Sequence, residues 1–518
     1  MVARRRVSIL DILTDKVGPR GPERSFLNHV GRQYYSIMPQ VVATWCRRRG
    51  HEVTYATFFG QDDPEALIDP DSDIVFISAY TRAAPLAFAL AKLLKAKGTR
   101  TVLGGPHASC FPEDAERFFD NVVVSCSESQ VIDLVEDRIA PGCRVVSSEK
   151  AIAVPTLAER LEDVKTANYV NGKRSRLSTV SLLTSTGCPY TCSFCSDWNS
   201  VYVARGTEEI VQDLKTAAEH FPGNLLAFHD PNFGVRFDQT LAAFEQMPTE
   251  GRNPYIVESS LSLLRSDRID RLRDTNCSYL APGIESWYLY GDKAKTSASV
   301  GASKFEQVCK KFDELTEKIP SLQANFLIGD EGDQGDEPFE LTKEFIERYP
   351  TVFPVINLPM AFGGTPLRDS LAQEGRLLPL PPMHYASPVL THQLVHYSMP
   401  EIIERKIDLL SFILRPRHFL RRMVQPSPLS ARIFWFFFCY RLVSYRAELR
   451  QFRRLFDEDA GFKAFHEGRS RVVPDYYDDR LDRRLKRYAA ILPREERGCL
   501  EAEGPSIAAG RQLSRPAA

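Results

Sequence analysis

The sequence predicts an α/β chain of two successive parallel-sheet domains followed by a helical module. Three patterns predict it. Short β-branched runs alternate with amphipathic helical stretches from residue 7 to about 140, and the alternation resumes with longer repeats from Leu177 to Met360. Past Pro366 the strand patterns give way to helical, basic and aromatic sequence. Alternation of this kind marks a parallel sheet covered on both faces. With 518 residues and 43% hydrophobic content, the chain can fill two or three sizeable cores. Its 66 Lys and Arg against 67 Asp and Glu give a formal net charge of -1, so no global field draws it to nucleic acid or to an acidic membrane.

The first domain, 1–140, places strands at 7–13, 53–57, 74–78, 101–103 and 122–125, with helices at 34–49, 85–97 and 112–119. The basic start Arg4-Arg5-Arg6 runs into an apolar stretch that carries Asp11 and has no small-residue cleavage site behind it, so it reads as a first strand and not as a signal peptide. Doubly wound, Rossmann-like sheets bind ligands at the carboxyl ends of their strands, near the point where strand order reverses. The loops that matter are therefore 79–82, 104–109 and 126–129. Gly104 and Gly105 follow a strand directly, where glycine either admits a ligand to the backbone or simply makes a tight turn. His107 in the same loop reads, as a lone histidine, as a local hydrogen-bonding group more readily than as a metal ligand.

Residues 141–178, with Pro141-Gly142, Pro155 and the basic run Lys173-Arg174-Ser175-Arg176, read as a linker. In 179–370, strands at 179–183, 225–229, 255–258, 279–285, 324–328 and 355–360 alternate with helices at 207–220, 237–245, 265–275, 304–316 and 337–349. Six βα units imply a partial (β/α)6 barrel whose working face is the carboxyl ends of its strands. Residues 371–494 form the C-terminal helical module, and the tail 495–518, rich in Gly, Ala, Pro and Ser, reads as disordered. The aromatic run Phe434 to Tyr440 could face a lipid or a greasy substrate, but with Arg432 and Arg441 at its ends a core helix packed on the barrel is favoured. No stretch approaches the roughly 18 apolar residues of a transmembrane segment. Eleven cysteines at irregular spacing fit a reducing compartment, so a soluble, cytoplasmic protein is expected.

One cysteine cluster departs from that scatter. Cys188, Cys192 and Cys195 sit in the loop after the first barrel strand, spaced so that three sulfurs converge without help from distant chain. Structural zinc and ferredoxin clusters both want four protein ligands, and no fourth cysteine or histidine lies nearby, the next candidate being His229 across a βα unit. Three thiolates with an open position suggest a four-iron cluster whose fourth iron is reserved for a reacting ligand.

With Phe194 immediately before the third cysteine, Cys188-Pro-Tyr-Thr-Cys192-Ser-Phe-Cys195 resembles the CxxxCxxC signature of radical S-adenosylmethionine (SAM) enzymes. The resemblance implies a [4Fe-4S] cluster whose open iron chelates the methionyl part of SAM, and whose reduction yields a 5'-deoxyadenosyl radical. Asp230 and Asn232 in His229-Asp230-Pro231-Asn232-Phe233 resemble the loop that holds the SAM amino group, although that loop is commonly glycine-rich. Glu285 and Ser286 in Gly283-Ile284-Glu285-Ser286 resemble the segment near the SAM ribose and carboxylate, and Gly329 ends a stretch from Asn325 similar to the motif beside adenine. Gly363-Gly364-Thr365-Pro366-Leu367 resembles the turn that closes the barrel. Strand-end packing or turn geometry is the alternative for each.

The first domain resembles the cobalamin-binding domain that precedes the barrel in one branch of this family. Tyr80 and Thr81, the run Gly104-Gly105-Pro106-His107, and Glu128 after Ser127 carry that resemblance. The DxHxxG motif that supplies a lower histidine ligand to cobalt is absent, so the resemblance implies cobalamin bound without such a ligand. It further implies a methyl transfer to an unactivated carbon of a small-molecule, possibly lipid-like substrate, with an electron donor such as flavodoxin or ferredoxin and no nucleic-acid partner. Ring formation or oxidative rearrangement, as in anaerobic tetrapyrrole cyclisation, uses the same architecture; a non-catalytic iron-sulfur or zinc protein is the reading from another class.

Overall fold

The computed structural model of the chain describes residues 4–18, 35–60, 63–149, 152–170, 173–174, 178–198, 200–288, 300–424 and 429–498. The expected helix start at Tyr34, the strand pattern's start at Leu177 and the tail from 499 onward lie outside them.

In the first domain β1 (Arg6–Ile12), β2 (Glu52–Phe58), β3 (Ile74–Ala79), β4 (Arg100–Gly104), β5 (Asn121–Val123) and β6 (Arg144–Val145) form one sheet in the order β2-β1-β3-β4-β5-β6. Every pairing is parallel, with Val7 beside Val53 on one side and Ile74 on the other. The order reverses between β1 and β3, which places the ligand crevice of a doubly wound sheet there. Successive residues of a strand face opposite sides, and this sheet is covered on both. Val7 and Ile9 pack with Ile37, Val41 and Trp45 of α1 (Ile37–Arg48). Leu10 and Ile12 pack with Leu86, Phe88 and Leu90 of α2 (Ala84–Ala96). α3 (Glu128–Val135), which the sequence pattern did not single out, starts in a capping box formed by Ser127 and Gln130.

The stretch 141–178 is more than a connection. Arg144–Val145 completes the first sheet, and α4 (Leu161–Asn168) buries Val164 and Ala167 against the second domain. Arg47 of α1 grips Asp163 of α4 through two hydrogen bonds of 2.6 and 2.7 Å. The buried Arg160 reaches Gln40 at 2.8 Å. These few apolar positions lie among polar residues whose partners are on another domain, so periodicity within the stretch was too weak to mark them.

The second domain holds β7 (Val180–Leu182), β8 (Leu226–Phe228), β9 (Tyr255–Ser260), β10 (Cys277–Glu285), β11 (Ser321–Leu327) and β12 (Phe353–Asn357), each paired in parallel with the next. α5 (Thr207–His220), α6 (Phe237–Glu245), α7 (Ser266–Asp274), α8 (Ala302–Lys318) and α9 (Glu337–Arg348) follow the first five strands. This is the expected open (β/α)6 sheet, with all strand carboxyl ends on one rim.

The C-terminal module contains α10 (Pro366–Gln373), α11 (Met399–Ile413), α12 (Pro416–Val424), α13 (Leu429–Glu458), α14 (Ala460–His466) and α15 (Asp475–Leu485). Within α13, Trp435 stacks on Phe353 at 4.0 Å and Cys439 joins the same cluster, whereas Phe436 and Tyr440 are exposed. The core-helix expectation thus holds for one face of the aromatic run only. The chain then returns to the first domain, where Leu481, Leu485, Tyr488 and Leu492 share a core with α2. Residues 495–498, expected in the disordered tail, pack as well: Arg497 is buried and donates to Leu492 O at 2.9 Å and to Asp482 at 2.7 Å. Arg497 also pairs with Asp478 of α15, and Glu496 with Lys92 of α2, so these first residues of the stretch have partners that composition does not record.

Candidate active site between two parallel sheets

The entry to the cysteine loop is fixed by one carboxylate. Asp230, just beyond β8, is buried and accepts from Thr184 N at 3.0 Å, the Thr184 hydroxyl at 2.6 Å and the Ser185 hydroxyl at 2.5 Å. Burial raises its carboxyl above the usual aspartate range, against the lowering effect of these donors. Ser185–Thr186 then pairs antiparallel with Val203–Ala204, closing the base of the loop. Inside it Ser200 Oγ accepts from Cys188 N at 2.9 Å and Cys192 O from Cys195 N at 3.1 Å. Cys188 and Cys192 are buried and Cys195 is half-buried.

Among the described residues, no three His, Cys, Asp or Glu side chains gather as the ligands of a single metal ion. A zinc ion needs such convergence. In a four-iron cluster each thiolate holds a different iron, so three thiols on one tied loop, two of them buried, fit that group without meeting at a point.

Asn232 is committed to the next strand: its Oδ1 accepts from Ser260 N at 2.9 Å. His229 hydrogen-bonds Ser181 Oγ at 3.1 Å, and burial lowers its imidazole to about 4. Ser181 also donates through Oγ to Tyr35 O, and through its backbone N–H to the Tyr35 hydroxyl, linking β7 to the chain ahead of α1.

Glu285 ends β10 with φ 61°, a left-handed conformation uncommon outside glycine. A buried polar group braces it. Lys304 Nζ donates to Ile284 O at 3.1 Å and to Ser286 O at 2.5 Å. Asp333 accepts from Ser286 Oγ at 2.7 Å and from Gly329 N at 2.9 Å, tying the ends of β10 and β11 together. Burial lowers the Lys304 ammonium to about 8, opposed by the Glu285 and Asp333 carboxylates. The structure therefore brings Glu285, Ser286 and Gly329 to one corner. Lys304 and Asp333 had not been singled out; the available signal was a lysine on the same helix face as Phe305, Val308 and Phe312.

On the first domain, Tyr80 stands 42% exposed at the end of β3 with Thr81 buried beside it. Gly105 has φ 85°, and a Cβ there would lie 2.8 Å from Ser78 Oγ, so only glycine brings β4 over the end of β3. Pro106 opens the short helix Pro106–Cys110. His107 turns inward: its ring is buried, 5.4 Å from the Phe88 ring and 3.6 Å from Asp114. Glu128 sits on the first turn of α3, 3.7 Å from Arg48.

The two halves meet at the turn before α10. A side chain at Gly363 would collide with the carbonyl of Cys110, so glycine lets the turn touch the β4 loop. The same turn holds the cysteine loop: Trp198 Nε1 donates to Gly364 O at 2.5 Å and Leu367 N to Ser193 O at 3.0 Å. Burial pushes the Cys110 thiol up to about 11, with further contributions from Asp197 and Cys195.

Comparison with known proteins agrees with this layout. The B12 binding domain family matches residues 24–134 and the radical SAM superfamily matches residues 182–346. The chain is 23% identical over 326 residues to bacteriochlorophyllide d C-8(2)-methyltransferase of Chlorobaculum tepidum, covering 59% of this chain and 70% of that one. It is 27% identical over 356 residues to hopanoid C-3 methylase of Methylococcus capsulatus, covering 62% and 66%. Among solved structures, the radical SAM methyltransferase TsrM from Kitasatospora setae, with cobalamin and a [4Fe-4S] cluster bound, matches with TM-score 0.57 and 14% identity over 87% of this chain and 99% of that one. The cobalamin-dependent SAM radical enzyme OxsB matches with TM-score 0.54 and 14% identity over 94% and 84%. With a parallel sheet of the B12-binding type set against a barrel whose first loop carries three cysteines, the chain belongs to the cobalamin-binding branch of the radical SAM enzymes.

Proposed function

We propose that the protein methylates an unactivated carbon of a small hydrophobic molecule. One observation carries the reading: the 104–110 loop of the first sheet and the cysteine loop meet across Gly363 and Gly364, so groups held on the two rims face each other. When bound, the [4Fe-4S] cluster with SAM supplies a 5'-deoxyadenosyl radical, and cobalamin supplies the methyl group. The chain's residues bind and orient. Cys188, Cys192 and Cys195 hold the cluster. Asp230 positions their loop, and Asn232 fixes the neighbouring strand end. Glu285, Ser286 and Gly329, braced by Lys304 and Asp333, form the corner for SAM. Tyr80, Thr81 and the Gly104 to Pro106 turn line the cobalamin edge, while His107 supports that loop from inside. The cobalamin unit comprises 1–140 together with the edge strand Arg144–Val145, and the barrel 179–370, its last residues entering α10. Relatives named for a bacteriochlorophyllide and a hopanoid support a hydrophobic methyl acceptor. The cluster's reduction calls for a donor of flavodoxin or ferredoxin type, in the cytoplasm.

Anaerobic reconstitution of cobalamin-supplied protein tests this. We expect a four-iron absorbance band and reductive SAM cleavage, both lost in Cys192→Ala, and a mass gain of one methyl on a component of lipid or tetrapyrrole extracts. Stoichiometric zinc without SAM cleavage would sink the reading. So would 5'-deoxyadenosine formation by protein that retains no cobalamin, or a product changed in mass without a methyl.

A further inference from the structure

α13 carries two apolar faces. Trp435, Cys439, Leu449, Phe452 and Phe456 are buried along one side. Phe436, Tyr440 and Val443, at helical spacing i, i+4 and i+7, are 54%, 43% and 49% exposed on the other. Leu420 and Val424 of the adjacent α12 add two more exposed apolar side chains, at 59% and 78%. An outward stripe of this kind on a helix whose other side already fills a core needs a second explanation. The large apolar side chains of the stripe are confined to the first half of α13; beyond the small Ala447 the outward residues are Arg450, Gln451, Arg454, Asp457 and Glu458.

Charge identifies the occupant. Residues 409–447 contain seven arginines and no Asp or Glu, in a chain whose formal net charge is -1. Arg415, just before α12, Arg417 and Arg421, on the same helix as Leu420 and Val424, and Arg441, next to Tyr440 on α13, are exposed. Glu347, from α9, is shared by Arg417 at 2.7 Å and Arg421 at 3.1 Å. Arg422 fixes the pair of helices from beneath, stacking 4.0 Å over Trp435 and donating to Pro350 O at 2.6 Å. Among the described residues no helix is long and apolar enough to cross a membrane. Exposed aromatic and aliphatic side chains rimmed by arginine are what an interfacial helix presents to anionic headgroups.

We propose that α12 and the first half of α13 dock this protein on the surface of an anionic phospholipid bilayer. Phe436, Tyr440 and Val443 enter the acyl boundary and the arginines face the headgroups. The proposal goes beyond the methyl-transfer reading and does not depend on it. Full-length protein is mixed with vesicles of phosphatidylcholine alone or with phosphatidylglycerol and separated by flotation. Binding is expected to the anionic vesicles only, and to be released at roughly 0.5 M salt, where charges are screened within a few ångströms. Phe436→Ser combined with Val443→Ser should weaken it about tenfold or more through lost apolar burial. Arg415→Gln with Arg441→Gln should weaken it about tenfold through lost attraction to headgroups. Both variants should keep the wild-type melting temperature and iron content. The proposal is overturned if wild-type protein does not float with anionic vesicles, or if both double variants float as wild type does. It is equally overturned if the patch proves to be covered by a second copy, seen as a concentration-dependent dimer that the apolar variant abolishes.

Discussion

Asp230 and Asp11 are buried carboxylates with opposite lessons. Asp230 is spent on the donors of Thr184 and Ser185, so it shapes the path into the cysteine loop. Asp230→Asn keeps the volume but puts an amide donor where an acceptor is needed. We expect a loss of about 1–3 kcal/mol in denaturant unfolding, and less iron per chain after reconstitution. Asp11 accepts from Ser36 N at 2.7 Å and Ser36 Oγ at 2.9 Å at the start of α1, and burial nevertheless raises its carboxyl to about 6. Below its unfolded pKa of roughly 3.9 both states hold the proton and the group is neutral in effect. Between there and about 6 only the unfolded state ionises, so stability falls as pH rises through that window and the penalty is full above it. At 1.36 kcal/mol per pH unit the penalty is about 3 kcal/mol. Thermal melts of wild type against Asp11→Asn across that window check it: the variant should lack this slope.

At the scale of elements, the turn after β4 and the turn before α10 bring two loops into register. Both depend on the absence of a side chain, at Gly105 for its φ of 85° and at Gly363 for the approach of Cys110. Gly105→Ala should impair cobalamin retention, measured by absorbance of the purified protein, while three-cysteine iron content stays near wild type. Gly363→Ala displaces the turn that holds Ser193 and Trp198, and should lower SAM cleavage several-fold with folding cooperativity intact. The corner at β10 and β11 is an element-scale feature as well. A left-handed Glu285 persists because Lys304 and Asp333 fix the residues on either side of it, as strained positions require.

Across the whole molecule, the C-terminal helices are a clasp. α13 covers the edge strand β12 of the barrel through Trp435 and Phe353, and α15 then lies on the first domain. The clasp closes on a charge pair in which Asp15 is fully buried and Arg484 holds both its carboxylate oxygens, at 2.5 Å each. Removing one partner of a buried pair is strongly destabilising, because the other charge stays buried. Arg484→Ala should lower unfolding free energy by about 3–5 kcal/mol in chemical denaturation. Arg487→Ala, whose exposed guanidinium pairs with Asp63, should cost less than about 1 kcal/mol.

The sequence by itself determined the two parallel sheets, because β-branched runs and amphipathic helices record periodicity locally, and the three cysteines, because their spacing lies within eight residues. By resemblance it also pointed to Glu285, Ser286 and Gly329, which the structure brings to one corner, but not to their braces. Only the tertiary structure decided the rest. Lys304 and Asp333 acquire meaning through carbonyls and amides on other strands, and His107 turns into a core that its neighbours in sequence do not reveal. The 141–178 stretch became structure through partners on α1 and the barrel. The aromatic run of α13 split into a buried and an exposed face because only one side of that helix meets β12. Contacts between residues far apart in the chain leave no period to read, and it is these contacts that set the β4 loop against the cysteines.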